Sequence, residues 1–153
     1  MSDLERPLTR RGRRAAAQMA GWLAATGVRP DTVLCSTAVR TRETFSFLHQ
    51  SLGDTEVHFE RILYLVSAVR LLKRLQELPG KTRSVMLIGH NPGIQKLTLQ
   101  LLGNRSTETR ARIETKFPTA ALVRFEVVAA GWRDLGPETA RLLDCVYPRD
   151  LDS

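Results

Sequence analysis

Apolar positions along the chain recur in two rhythms, and the alternation between them predicts the fold. Ala16, Met19, Ala20 and Leu23 fall at i, i+3, i+4 and i+7. That is the spacing of one helix face. Thr9 stands where a cap belongs and Gly27 where a stop belongs, so a helix is expected from there to about Ala25. Its cluster Arg10-Arg11-Gly12-Arg13-Arg14 falls mainly on the wet face. Pro30-Asp31 turns the chain into Thr32-Val33-Leu34-Cys35-Ser36, too short for a helix and rich enough in β-formers for a buried strand. A second helix is expected from Val39 to Leu52, ended by Gly53, then a short strand from Thr55 to Phe59.

Ala68, Leu71, Leu72 and Leu75 predict a third helix that stops by Pro79-Gly80. Val85 to Ile88 reads as the next buried strand, and Ile94, Leu97, Thr98 and Leu101 open a fourth helix ending at Gly103. From Ala120 to Val128 and from Thr139 to Val146 the spacing shifts towards alternation, which suggests two later strands. The polar stretch Asn104 to Lys116 is read as a surface connection, with a flap over the site as the other reading. Strands alternating with helices in this way point to an α/β fold, a three-layer α/β/α sandwich with a mostly parallel central sheet. At 153 residues a single domain spanning 1–153 is expected.

Composition narrows the classes. No apolar run approaches the roughly 18–20 residues that a membrane helix needs, and Met1-Ser2-Asp3-Leu4-Glu5-Arg6-Pro7 has no apolar core of a secretory signal. A cytoplasmic location is the resulting expectation, with no membrane partner. Cys35 and Cys145 stand alone in apolar surroundings without metal spacing and are expected to be reduced core residues. The net charge of +7 is carried by nineteen arginines and only four lysines. That excess suits anionic partners, and an arginine-heavy coding bias would produce it equally. Aromatic residues are not interleaved with the basic ones, which argues against nucleic acid as a partner.

Candidate chemistry gathers at two strand ends. In Ser84-Val-Met-Leu-Ile-Gly89-His90-Asn91-Pro92-Gly93 an apolar strand closes on a histidine and a turn before a helix. Open α/β sheets place ligands at such strand tips, and an imidazole with several backbone N–H groups facing one crevice suits an anion. Ser36-Thr37-Ala38-Val39-Arg40-Thr41 ends the Thr32 strand in the same way. A fork from Arg40 could bind two phosphate oxygens there, while a solvated arginine in a first helical turn is the plainer reading.

Taken with Arg6-Pro7-Leu8-Thr9-x-x-Gly12, Lys116-Phe117-Pro118-Thr119-Ala120 and Pro148-Arg149-Asp150-Leu151, these two motifs resemble the histidine phosphatase superfamily. Its fold is phosphoglycerate mutase-like, and the small SixA-like phosphohistidine phosphatases match in most detail. The resemblance implies a hydrolase in which one histidine is transiently phosphorylated inside a pocket of two arginines and a second histidine. Carried over by motif, Arg40 is one pocket arginine and His90 the second histidine. In that role a protonated His90 would stand beside Arg40 and neutralise the equatorial oxygens. Ser36, Gly89 and Asn91 are expected to bind substrate. No metal or cofactor is implied, and the expected partner is a phosphate-bearing substrate such as a His-phosphorylated signalling or phosphotransfer protein.

The sequence departs from the family in one respect. The superfamily's nucleophile lies in an Arg-His-Gly or Arg-His-Ala motif closing a first strand, and no position of this chain matches it. His49 and His58 carry no replacement motif and read as structural or surface residues. Omitting a strand from mid-sheet would leave its neighbours with unpaired backbone groups. A shortened N-terminus, with Met1 an internal position of a longer protein, is therefore expected. Leu65-Val66-Ser67-Ala68 offers no carboxylate as general acid. A protonated imidazole leaves more readily than an alkoxide, which favours P–N bonds over alcohol phosphates. Impaired catalysis follows as an expectation, and a non-catalytic phosphate- or phosphoprotein-binding relic is the alternative.

Overall fold

A computed structural model describes residues 1–152 and places the four predicted helices and five predicted strands in the predicted order, with one helix more. The first helix, α1, spans Arg10–Thr26; the Thr9 hydroxyl accepts from Gly12 N, and Gly27 ends the helix in the left-handed region at φ 73°. Only glycine adopts that conformation without a Cβ penalty. β1 (Thr32–Ser36) follows, then α2 (Val39–Leu52), β2 (Glu56–Glu60), α3 (Ala68–Gln76), β3 (Val85–Ile88) and α4 (Gly93–Leu102). The segment read as a connection, Asn104 to Lys116, instead holds a further helix, α5 (Thr107–Thr115). Only Ile113 is buried on α5, so there is no apolar stripe from which it could have been read. β4 (Leu122–Val127) and β5 (Ala140–Val146) complete the set, each slightly shorter than the alternation suggested.

β1 is the central strand of a parallel sheet ordered β2-β1-β3 and is buried along its whole length. Its alternating side chains serve two cores. Val33 and Cys35 pack with Met19 and Leu23 of α1 and with Phe45, Leu48 and Leu52 of α2. Leu34 points the other way, to Leu71 and Leu75 of α3 and Leu97 and Leu101 of α4. This is the expected layered α/β architecture with a parallel central sheet.

The sheet is nevertheless split. β4 and β5 form a separate antiparallel pair, with a register shift between Arg124 and Phe125. Both pieces lie in one layer, because Leu87 of β3 shares one core with Phe125 and Val127 of β4, and Met86 shares the other with Leu122. A cavity of about 1690 Å³ separates β3 from β4.

Cys35 is fully buried and its thiol is pushed up to about 12 by burial. Cys145 is only half-buried, contrary to expectation, because β5 is not covered as β1 is. Both thiols are free. No helix among the described residues is long and apolar enough to cross a membrane.

Candidate active site

β1 and β3 are parallel neighbours in register, so Ser36 and the Gly89-His90 turn leave the sheet at the same end. Thr41 reinforces the β1 exit by donating its hydroxyl to both Ser36 O and Ala38 O, at 2.9 Å each. This clamp sets the first turn of α2 and points Arg40 at the strand mouth. Thr44 adds a bond to Arg40 O at 2.9 Å.

The side chains meet there. Arg40 Nη2 lies 3.2 Å from His90 Nδ1, and His90 Nε2 lies 2.7 Å from Ser36 Oγ. A guanidinium can only donate, so Nδ1 accepts, the ring proton sits on Nε2, and Nε2–H donates to Ser36. Ser36 Oγ also accepts from Ala38 N at 3.3 Å, which leaves its own hydrogen for a further acceptor. Ser36 is fully buried, whereas the Arg40 side chain keeps 15% of its surface.

His90 is therefore neutral in this arrangement. Burial first and the Arg40 charge second hold its pKa down to about 4 from 6.5. The protonated form expected from sequence reasoning requires an anion in the site, since a nearby negative charge favours imidazolium.

Of the remaining predicted residues, Asn91 faces the far wall and donates through Nδ2 to Phe117 O at 2.8 Å, fixing the Lys116–Ala120 loop against the turn. Gly89 packs tightly, since a Cβ there would meet Ile94 Cγ1 and Cδ1 at 3.1 Å. The N–H groups of Ile94 and Lys96 are not free for a ligand, because they donate to His90 O and Pro92 O. His49 sits on the last turn of α2 against Phe45, and His58 is on the outer strand β2 paired with Glu56 at 3.2 Å. Among the described residues only His90 brings an imidazole to the mouth.

Two neighbours escaped sequence reasoning. Asp3 accepts from Arg40 twice, at its carbonyl (2.7 Å) and its carboxylate (3.0 Å). The Tyr64 hydroxyl donates to the same carboxylate, and the Tyr64 ring stands edge-on to His90 with centroids 5.3 Å apart. The Tyr64 hydrogen bond, with Arg40 contributing, lowers the Asp3 pKa to about 2. Such a carboxylate is ionised at neutral pH and cannot act as a general acid. No local motif marks either residue; their separations from Arg40 and His90 are bridged only by the fold. Three of the five guanidinium donors of Arg40 are committed to Asp3 and His90, and the others remain for a ligand. One fork, one imidazole and one hydroxyl thus converge where a tetrahedral anion could be gripped. Among the described residues no group of three or more His, Cys, Asp or Glu is placed to hold a metal.

Known proteins resemble this chain in sequence and in fold. The Histidine phosphatase superfamily (branch 1) matches residues 2–64, which include Arg40. An uncharacterized protein of Mycobacterium leprae is 32% identical over 150 residues, covering 97% of this chain and 91% of that protein. The SixA structure from Nakamurella multipartitia, described as a candidate phosphohistidine phosphatase, superposes with a TM-score of 0.84 at 26% identity, covering 97% of this chain and 88% of that one. The protein histidine phosphatase SixA complexed with tungstate superposes at 0.77 with 22% identity, covering 99% and 90%, a likeness of fold alone.

Proposed function

The chain belongs to the histidine phosphatase superfamily, and from that premise we propose that its site acts on phosphohistidine carried by a signalling or phosphotransfer protein. The observation that carries this reading is the convergence of Arg40, His90 and Ser36 at one strand mouth. Arg40 would neutralise two oxygens of the phosphoryl group, and Ser36 would donate to a third. His90, neutral when the site is empty, would take up a proton as the dianion enters and add a second positive charge where the transition state needs it. Gly89 and Asn91 would shape the turn that presents His90. Asp3, the carboxylate that meets Arg40, is held ionised and donates no proton, which favours a P–N bond, whose leaving imidazole needs little acid assistance. The similar SixA structure from Nakamurella multipartitia is described as a candidate phosphohistidine phosphatase, which supports the same substrate class.

Residues 1–153 form a single domain in this reading. The superfamily's nucleophilic histidine has no counterpart at the mouth among the described residues, so turnover by the 153-residue chain is slow while its anion binding persists. That same observation favours the second reading, a binding relic.

Calorimetric titration with tungstate, run beside phosphate release from a phosphohistidine protein, tests both. The expected result is saturable binding weakened about 10–100-fold in R40A and in H90A, the loss of one or two charge-assisted hydrogen bonds. Equal binding by the parent chain and R40A would overturn the proposal. Binding with no turnover, even by a chain extended upstream, would select the relic.

A further inference from the structure

The Asp3 carboxylate is held as a bound oxyanion is held. Its Oδ2 accepts from Arg40 Nη2 at 3.0 Å and from the Tyr64 hydroxyl, and its Oδ1 accepts from Arg6 Nη2 at 3.3 Å and Arg6 Nε at 3.4 Å. Two guanidinium groups and a phenol thus meet on one small anion that the chain itself supplies. Arg40 Nη1 adds a bond to Asp3 O at 2.7 Å, and Nη2 gives its second hydrogen to His90 Nδ1. Asp3 therefore sits on the donors that a ligand beside His90 would use. With His90 neutral, Asp3 also offsets the Arg40 charge, so the mouth exerts a weaker pull on a dianion while the carboxylate is in place.

Little besides these bonds holds the segment that carries Asp3. Asp3–Glu5 is a single 3-10 turn that buries no residue, closed by Glu5 N on Ser2 O at 3.1 Å and Arg6 N on Asp3 O at 3.2 Å. None of residues 1–7 is buried, and the first core anchor is Leu8, whose N–H donates to Glu43 at 2.7 Å. The Asp3 side chain keeps 45% of its surface, and ion pairs exposed to that degree contribute little each. A segment fixed by exposed polar bonds and no apolar contact opens locally at small cost. Leu8 is its pivot.

We propose that Asp3 is a built-in competitor for the anion site: its carboxylate occupies Arg40 while the site is empty, and a tetrahedral anion binds by displacing it. Displacement frees Arg40 Nη1 and Nη2 for the ligand and removes the opposing charge. The short tether gives the carboxylate a high effective concentration, which sets a threshold that every ligand must clear. A dianion, with two charges to trade for one, clears it more readily than a monoanion. The site itself is that of the phosphatase reading, on which this inference rests.

Calorimetry compares the parent chain with D3N, whose amide keeps the size and an accepting oxygen and loses the charge. The ligands are tungstate and perrhenate, a tetrahedral ion of like size with one charge fewer. D3N is expected to bind both ions tighter by the same factor, about 3–30-fold, the worth of two or three exposed charged bonds. In the R40A background the gain should fall below about twofold, because nothing is left to compete for. Unchanged or weaker tungstate binding by D3N would overturn the proposal and make Asp3 a prop for Arg40. A gain several times larger for tungstate than for perrhenate, or one that persists in R40A, would also overturn it, since a carboxylate that stays in place repels the dianion more strongly. All three outcomes leave the phosphatase reading intact. Equal tungstate binding by the parent and R40A would remove that reading, and this inference with it.

Discussion

His90 offers the sharpest test of the site's electrostatics through the pH dependence of stability. Its imidazole is held at about 4 in the folded chain against 6.5 when free. The unfolded chain therefore binds this proton first, and the folding free energy falls as pH drops through the window from 6.5 to 4. The full depression would give a ceiling of about 3 kcal/mol at roughly 1.4 kcal/mol per pKa unit. His90 is only half-buried, so solvent screening reduces the realised value to about 1–2 kcal/mol.

Acidic groups with lowered pKa, such as Asp3, Glu60 and Asp150, add their own losses at lower pH. The measurement must therefore be a difference. Urea unfolding of the parent chain and H90Q at pH 7.5 and 4.5 isolates the histidine, because glutamine can still accept from Arg40 and donate to Ser36. The parent is expected to lose about 1 kcal/mol more than H90Q between the two pH values. Equal losses would refute a desolvated, neutral His90. Saturating tungstate should shrink the difference, since a bound dianion favours the protonated ring.

Two further outcomes follow from packing. A Cβ at Gly93 would lie 2.3 Å from Val66 O and 3.2 Å from Leu71 Cδ1, so Gly93→Ala must push α4 away from α3. A loss of about 1–3 kcal/mol in thermal unfolding is expected, and an unchanged or raised Tm would contradict the close approach. Tyr147, with 1% of its surface exposed, donates its hydroxyl to Lys116 O at 2.6 Å. Tyr147→Phe should cost about 1–3 kcal/mol in urea unfolding by orphaning that carbonyl, and a neutral result would show that water reaches it.

Much of this protein was legible along the chain because its elements announce themselves locally. α1 has its cap, stripe and stop within eighteen residues of Thr9, and β1 and α2 begin and end where the apolar pattern changes. Arg40, His90 and Ser36 were reachable for the same reason, since each closes or follows an apolar strand. α5 was missed because a helix held by one buried residue leaves no periodic trace. Its anchorage is tertiary: Arg112 spans from α5 to Asp150 at 2.5 Å and stacks 3.9 Å from the Tyr147 ring.

The sequence by itself determined which segments other than α5 are helix or strand and which strand tips carry a fork and an imidazole, because both properties are written in spacing over a few residues. Tertiary structure alone decided that Asp3 and Tyr64 close on Arg40, that His90 is neutral, and which strands, β3 and β4, flank the opening in the sheet. Those outcomes depend on desolvation and on contacts between residues dozens of positions apart. Neither has a period that a linear pattern can display.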